Sequence, residues 1–130
     1  EITALCKCFR NELGTHVPLH FSAFHPDYKM PDVPATPPAT LVRARNIAMQ
    51  QGLQYVYTGN VHNHEGDTTF CPGCHTELIE RDWYQINQYR LTDAGHCPDC
   101  GTTIAGRFDI QAGNWGRKRI PIAINRAMMK

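Results

Sequence analysis

Two Cys-x-x-Cys pairs are the residues of this chain whose types and spacing most clearly indicate chemistry. Cys71 and Cys74 form the first pair, and Cys97 and Cys100 form the second. A tight turn brings both sulfurs of a pair to one side, so the four thiolates predict a single tetrahedral metal site. Because four thiolates leave no open coordination position, we expect a structural Zn²⁺ site, with iron in a rubredoxin-like site as the alternative.

The four cysteines also admit other chemistry, which stays open at this stage. An iron–sulfur cubane takes four cysteines as well, and two disulfides or four free thiols need no metal. Histidine is a common replacement for one cysteine in such sites, and four histidines lie near the pairs: His62, His64, His75 and His96. Two similar pairs favour a single ion, so we expect Cys71, Cys74, Cys97 and Cys100 as the ligands.

The composition is that of an ordinary folded chain without a strong charge preference. Its 130 residues carry a formal charge of +1 with a pI of about 7.9, which argues against a nucleic-acid partner. No apolar run reaches membrane length and no signal-peptide pattern occurs, so we expect no membrane partner. Six cysteines with two metal-type pairs favour a reducing compartment, and we expect a cytoplasmic protein. The chain begins with Glu inside a predicted helix, so we interpret it as the C-terminal part of a longer protein.

Residues 1–61 alternate helix and strand, which predicts an α/β fold. A first helix that ends at Gly14 is followed by a strand over 17–24. A second helix that ends at Gly52 is followed by a strand over 53–58. Because helices alternating with strands favour parallel pairing, we predict the C-terminal β/α units of a partial TIM-type barrel.

The second helix carries its own signals. Thr36 precedes two prolines, and we predict it as the N-cap with proline at the first helical position. Helical periodicity places Leu41 and Ala44 on the inner face of this helix, and it places Arg45 on the outer face.

The first strand presents polar side chains on one face. His20 and Ser22 alternate with apolar residues, so in a barrel they would point inward. His25 follows in a proline-rich loop at the carboxyl end of the strand, where such barrels place their chemistry. Asn60 follows Gly59 at the end of the second strand. His20, Ser22, His25 and Asn60 are therefore candidates for facing a ligand. The alternatives are a solvent-facing polar stripe on an antiparallel sheet for His20 and Ser22, a loop-anchoring histidine for His25, and a plain turn at Asn60.

The cysteine pairs bound a separate small module, which we predict to be a four-cysteine zinc ribbon (a rubredoxin-like β module) over residues 70–108. A polar linker over 62–69 joins it to the α/β part, and a C-terminal tail over 109–130 follows it. Within the tail, the basic cluster 117–119 is interpreted as a solvated turn. Pro121 cannot donate to a ladder, so the apolar run 120–124 predicts an edge strand.

A β-hairpin is predicted between the two cysteine pairs. Its strands span 78–81 and 84–91 and turn at Asp82. Trp83, Tyr84 and Tyr89 are interpreted as packing residues of this small sheet. A module of this size has little core, so metal binding is expected to supply much of its stability.

Several segments of the chain resemble radical SAM proteins of the AmmeMemoRadiSam system, which are relatives of pyruvate formate-lyase activating enzymes. The resemblance lies in LHFSAFHPDYKM at 19–30, TPP at 36–38, GL at 52–53, YVYTGN at 55–60 and LIER at 78–81 beside the cysteine pairs, and it covers roughly residues 1–125. It implies a partial β/α barrel that carries a [4Fe–4S] cluster and S-adenosylmethionine, and that cleaves the latter reductively to a 5′-deoxyadenosyl radical. It also implies that His20, Ser22, His25 and Asn60 lie near S-adenosylmethionine or substrate, and that Memo-type and AMMECR-type proteins are associated.

One departure from this resemblance limits what the chain does alone. The radical SAM cluster uses Cys-x-x-x-Cys-x-x-Cys, and no cysteines here have that spacing, so we expect the cluster to lie outside this chain and the chain alone to be inactive. Its partners would be the rest of the barrel and a protein substrate, and the isolated chain would self-associate through its exposed barrel edge. The alternative is a stand-alone zinc-ribbon module that binds a protein or a nucleic acid.

Overall fold

A computed structural model describes residues 1–121 of the chain. In chain order its elements are α1 (Ile2–Glu12), β1 (Leu19–Ser22), α2 (Pro38–Gln50), β2 (Val56–Gly59), α3 (His64–Asp67), β3 (Thr69–Phe70), β4 (Glu77–Asp82) and β5 (Gln85–Tyr89). They form two small sheets, β1–β2 and β3–β4–β5. The helices described here are all too short or too polar to cross a lipid bilayer.

Helix α1 ends as its sequence predicts. Gly14 has φ +99° and its N–H donates to Arg10 O at 3.1 Å, which is the left-handed termination that glycine permits. The two cysteines of this helix differ in burial: Cys6 is fully buried, whereas Cys8 is exposed. Cys6 belongs to the core of this half of the molecule, together with Ala48 and Leu53.

The start of α2 differs from the prediction. The N-cap is Pro37, no side chain caps the helix, and the helix begins at Pro38. Thr36 instead pairs with Phe24: its hydroxyl accepts from Phe24 N–H at 3.0 Å, and its own N–H donates to Phe24 O at 2.9 Å. The predicted Thr36 cap is therefore wrong, because this side chain closes the proline-rich loop rather than the helix.

Arg45 is also a correction, because the structure buries it to 9 % exposure. Its Nε donates to Val56 O at 3.0 Å, and its guanidinium lies 5.9 Å from the Phe70 ring centroid. Glu65 Oε2 lies 3.9 Å from Arg45 Nη1. Helical periodicity assigned Arg45 to the outer face because it cannot anticipate a backbone carbonyl that needs a donor.

Strands β1 and β2 pair in parallel, as predicted. Their register runs from Leu19 opposite Val56 to Ser22 opposite Gly59. The N–H of Leu19 donates to Tyr55 O, and that of Ala23 donates to Gly59 O, each at 2.9 Å. Since parallel strands use alternate residues for each edge, the intervening backbone groups of β1 point to the opposite edge. No strand within residues 1–121 pairs with that edge.

The side chains of this parallel pair alternate between two faces. Leu19, Phe21 and Val56 pack into the core formed with α1 and α2, while His20 and Ser22 are exposed on the other face. The alternation predicted for β1 is thus confirmed, and the class is mixed α/β with a small β module. Two parallel strands alone do not constitute the predicted partial barrel.

The second sheet is antiparallel, and its hairpin turns after Asp82 rather than at Asp82, where the turn was predicted. Asp82 pairs with Gln85, so Trp83 and Tyr84 form the two-residue loop between β4 and β5. Trp83 has φ +53°, a conformation that bulky residues rarely adopt. The two aromatic side chains are 42 % and 71 % exposed, so the prediction that they pack the sheet is wrong. Tyr89 does pack against the core of this module.

The core of the second module is small and is completed by the first. It contains Leu78, Ile79 and Ile104 together with two of the metal-type cysteines, and Tyr55 of the α/β part is buried in it. The Tyr55 hydroxyl accepts from Ala105 N–H at 3.2 Å. The two parts of the chain are therefore in contact through Tyr55, and we call this contact between Tyr55 and the second module the seam.

Two segments beside the seam were predicted from composition alone. The stretch 62–69, expected as a polar linker, contains α3 and packs closely: a Cβ on Gly66 would collide with Thr58 Oγ1. Tyr57 Oη and Thr69 Oγ1 lie 2.9 Å apart across the same contact. The described part of the tail, 109–121, has no helix or strand, and most of the predicted edge strand 120–124 lies outside the described residues.

Candidate metal centre

The structure brings the four predicted cysteines together. One sulfur from each of Cys71, Cys74, Cys97 and Cys100 lies within 4.8 Å of all the others. The sulfurs of Cys71 and Cys100 lie 3.5 Å apart, and those of Cys74 and Cys97 lie 3.6 Å apart. A zinc ion with Zn–S bonds of about 2.3 Å needs sulfurs about 3.8 Å apart, so the four side chains fit a tetrahedral ion.

The first cysteine pair lies on a turn closed by two backbone hydrogen bonds. Cys71 N–H donates to Thr76 O at 2.9 Å, and His75 N–H donates to Cys71 O at 2.9 Å. Gly73 N–H points at Cys71 Sγ at 3.4 Å, as amides do when they stabilise a thiolate ligand. The turn begins where β3 ends and leads directly into β4, so the antiparallel sheet fixes its direction.

The second pair repeats this geometry. Cys97 N–H donates to Thr102 O, and Gly101 N–H donates to Cys97 O, both at 2.9 Å. Gly101 has φ +76° and His75, its equivalent in the first turn, has φ +62°. A left-handed backbone is therefore present at this place in both turns, although only one of them has glycine there.

Two threonines complete the site, and the cysteine spacing alone did not predict them. Thr102 Oγ1 lies 3.1 Å from Cys100 Sγ, and Thr76 Oγ1 lies 3.4 Å from Cys74 Sγ. A hydroxyl at this distance donates to a thiolate, which stabilises its charge. The signal was in the sequence as a repeated Cys-Pro-x-Cys-x-Thr, read once at 71–76 and again at 97–102.

The four thiols differ in electrostatic environment. Hydrogen bonds from the Thr102 side chain and backbone lower the pKa of Cys100 to about 6. The Thr76 hydroxyl and backbone similarly lower the pKa of Cys74. Burial raises the pKa of Cys97 to about 11. The exposed cysteine of each pair is thus disposed to be a thiolate, whereas burial disfavours the thiolate of Cys97, whose charge a bound cation would compensate.

The histidines that were considered as alternative ligands have other partners or positions. His62 Nδ1 lies 3.2 Å from Asp82 Oδ1, and its ring lies 5.0 Å from the ring of Trp83. His64 Nε2 lies 3.1 Å from Glu77 Oε1, and this contact raises the pKa of His64. The metal-compatible cluster within residues 1–121 consists of the four cysteines and includes neither His75 nor His96.

Two of the four candidate ligand-facing residues of the α/β part meet each other. His25 Nε2 lies 2.7 Å from Asn60 O at the carboxyl ends of β1 and β2. His20 lies further back on the strand, with its ring stacked on that of Tyr57 at 4.9 Å. Ser22 is on the same face as His20, and its hydroxyl lies only 3.0 Å from where a Cβ on Gly59 would be. Glycine at position 59 therefore leaves the Ser22 hydroxyl its space.

A cleft of about 340 Å³ opens between the α/β part and the second module, and its lining includes His20, Tyr57, Asp67, Arg81 and Trp83. Arg81 Nη1 donates to Asp67 O at 3.2 Å and to Thr69 Oγ1 at 2.9 Å. Burial raises the pKa of Asp67. These hydrogen bonds join β4 to the segment that follows β2 at the wall of the cleft.

Comparison with known proteins gives one informative relative. The chain is 52 % identical over 96 residues to an uncharacterized protein of Methanocaldococcus jannaschii, and this match covers 73 % of the chain but only 29 % of the relative. The chain therefore spans less than a third of that protein. No family model matches the chain, and no solved structure matches it significantly.

Proposed function

We propose that residues 70–108 form a zinc ribbon in which Zn²⁺, held by Cys71, Cys74, Cys97 and Cys100, has a structural role. The support is the set of four thiol donors around one centre, all within 4.8 Å of one another. Four sulfur ligands fill a tetrahedral shell and leave no position for water or substrate. The ion would neutralise the thiolates and join the two turns, and it would supply no catalytic step.

The α/β part is, in this proposal, the final portion of the partial barrel of a radical SAM enzyme. The observation that carries it is the contact between His25 and Asn60 at the carboxyl ends of two parallel strands, the end at which barrel enzymes assemble their active sites. The outer edge of β1, with which no strand within residues 1–121 pairs, supports it further, because purely parallel sheets are normally larger and covered on both faces. A further strand of a longer polypeptide would pair there.

The cluster and cofactor of such an enzyme do not find all their ligands in this chain. The six cysteines lack the Cys-x-x-x-Cys-x-x-Cys spacing, and four of them already form the ribbon site. The [4Fe–4S] cluster would therefore be held by another part of the longer protein, and this chain alone would be inactive. His20, Ser22, His25 and Asn60 would face S-adenosylmethionine or substrate at the barrel mouth, and a protein substrate or Memo-type and AMMECR-type proteins would be the partners.

A second function is favoured by one observation, the exposure of the two aromatic residues at the hairpin tip. Trp83 and Tyr84 are 42 % and 71 % exposed, and aromatic side chains of this kind are enriched in the centres of protein interfaces. On this alternative the ribbon is a binding module for a protein partner. Replacing both aromatics by Ser would abolish partner binding without changing metal content.

The two parts of the proposal are tested separately. For the ribbon, metal analysis and the visible spectrum of the purified 130-residue chain should give one colourless zinc per chain. Iron with a red or brown colour would overturn the assignment of zinc.

For the enzyme, the longer polypeptide that contains this chain should form 5′-deoxyadenosine from S-adenosylmethionine under a strong reductant without oxygen. His25→Ala should lower this rate without loss of the iron–sulfur absorption. A longer polypeptide that binds no iron–sulfur cluster and forms no 5′-deoxyadenosine would overturn the radical SAM function and leave the zinc ribbon intact.

A further inference from the structure

The backbone on both sides of β1's carboxyl end is fixed, and this determines where His25 lies. Ala23 N–H donates to Gly59 O at 2.9 Å, and Phe24 makes two hydrogen bonds with Thr36. The residue after His25 is Pro26, which restricts the preceding residue to extended conformations. His25 thus has little backbone freedom, although its side chain is exposed.

Asn60 meets this histidine from the end of β2 in an unusual conformation. Its φ is +60°, the left-handed region that asparagine tolerates better than most residues other than glycine. Its side chain Nδ2 donates to Ala23 O at 3.2 Å, so it ties the two strand ends together just beyond the last ladder bond. In this conformation the backbone carbonyl of Asn60 lies 2.7 Å from His25 Nε2.

This short contact defines which nitrogen of the imidazole carries the proton. A carbonyl oxygen only accepts hydrogen bonds, so Nε2 of His25 must donate. In the neutral imidazole the proton is then on Nε2, and Nδ1 is left as an acceptor. Within residues 1–121, Nδ1 of His25 has no hydrogen-bond partner, whereas Nε2 is occupied by Asn60 O.

We propose that Asn60 is a positioning residue, whose left-handed backbone presents its carbonyl to His25, fixes the Nε2–H tautomer, and leaves Nδ1 free to accept from a hydroxyl or ammonium group of a ligand. Both residues were candidates from the sequence for facing a ligand. The geometry divides their roles: His25 provides the contacting atom, and Asn60 acts through His25. The ligand part of this inference rests on the proposed function, whereas the tautomer does not.

Two substitutions of Asn60 separate the backbone role from the side chain. Asn60→Gly removes the side-chain hydrogen bond to Ala23 O, but glycine adopts a φ of +60° freely. Asn60→Val removes the same side-chain hydrogen bond, and the β-branched side chain of valine strongly disfavours this backbone conformation. Both variants lose the same side-chain hydrogen bond, so any difference between them reports the orientation of the carbonyl.

The experiment uses the 130-residue chain with ¹⁵N-labelled histidine and asparagine labelled with ¹³C at its carbonyl carbon, at a pH of about 8.5 where an imidazole is neutral. Nitrogen–proton correlation spectra should give His25 a protonated Nε2 and an unprotonated Nδ1, with a coupling through the hydrogen bond to the Asn60 carbonyl carbon. Asn60→Gly should keep this pattern. Asn60→Val should lose the coupling and show His25 averaging between both tautomers. The signals of His96, which immediately precedes the second cysteine turn, serve as the internal control.

Several results would overturn the inference. The wild-type chain would contradict it by showing a protonated Nδ1 or no coupling to Asn60. Asn60→Val would contradict it by retaining the coupling, and Asn60→Gly by losing it while the amide signals of β1 and β2 stay in place. Since none of these readouts needs a cluster, a cofactor or turnover, the inference can fail while the radical SAM proposal stands, and the reverse also holds.

Discussion

The two parts of this molecule are held together by different means. The α/β part buries an apolar core between two helices and two strands, with Cys6, Ala48 and Leu53 at its centre. The ribbon buries a few apolar side chains around two of its own metal-type cysteines, Cys71 and Cys97. In the α/β part, an apolar core is present, but no strand within residues 1–121 pairs with the outer edge of β1. In the ribbon, three strands pair in one sheet, but the apolar core is small. The difference predicts that the first part is stabilised by further strands and the second by a metal.

The largest expected effect is on the ribbon, by removal of the proposed zinc or by Cys97→Ser. Structural zinc contributes on the order of 10 kcal/mol to small domains of this kind, so residues 70–108 should unfold while α1 and α2 keep their helical amide signals. Amide hydrogen exchange followed by NMR measures both parts at once. Cys8→Ser, at an exposed cysteine outside the cluster, is the matched control and should change neither. Protected β4 and β5 amides in Cys97→Ser would contradict the dependence on metal.

The opposite experiment weakens the α/β part. Leu53 is 1 % exposed at the centre of its core, and Leu53→Ala should cost about 2–5 kcal/mol. The loss should appear as faster exchange of β1 and β2 amides, with zinc affinity, measured by chelator competition, unchanged. Leu13→Ala is the control, because Leu13 is 53 % exposed. A fall in zinc affinity equal to the loss of stability would mean that the two parts fold as one unit.

The seam is tested by Tyr55→Phe. This change removes the hydroxyl that accepts from Ala105 N–H and leaves the ring in the ribbon core. We expect a loss of about 1 kcal/mol, the usual net value of such a bond, and faster exchange of the Ala105 amide. Tyr28→Phe, at a tyrosine that is 85 % exposed, should be neutral. Equal stability of wild type and Tyr55→Phe would mean that the seam is held by packing alone.

The smallest expected effect compares the two cysteine turns. His75 occupies with φ +62° the place that Gly101 occupies with φ +76°. Left-handed backbone costs roughly 1–2 kcal/mol for most residues. Glycine avoids this cost, but part of the gain is lost because glycine has more conformational entropy in the unfolded chain. His75→Gly should therefore stabilise the zinc-bound ribbon by about 0.5–1 kcal/mol, measured as a higher unfolding midpoint. Gly101→His should lower it, and a loss of stability in His75→Gly would mean that the imidazole makes a favourable contact.

Patterns of period and spacing predicted well the features that depend on local sequence. The end of α1 at Gly14, the two faces of β1, its parallel partner and the meeting of four cysteines were all predicted. Each of these follows from backbone conformation or side-chain period, which neighbouring residues determine.

The failures concern side chains whose partners are distant in sequence. Arg45 is buried because a carbonyl of β2 accepts from it, and Thr36 is used to close a loop with Phe24. The exposure of Trp83 depends on a two-residue turn that is taken up by aromatic residues rather than glycine, against the usual preference. The two threonines beside the cysteines could have been predicted, since the repeat at 71–76 and 97–102 contains them.

The hydrogen bond across the seam has a consequence for the order in which the chain folds. Tyr55 and Ala105 are 50 residues apart, and closing a loop of that length is entropically costly. If the proposed zinc joins Cys71 to Cys100, the path from Tyr55 to Ala105 crosses the metal and covers less than half as many residues. Each halving of a flexible loop returns about 0.6 kcal/mol. The metal is therefore expected to act as a folding nucleus, so that the seam closes late, on a ribbon that has already formed.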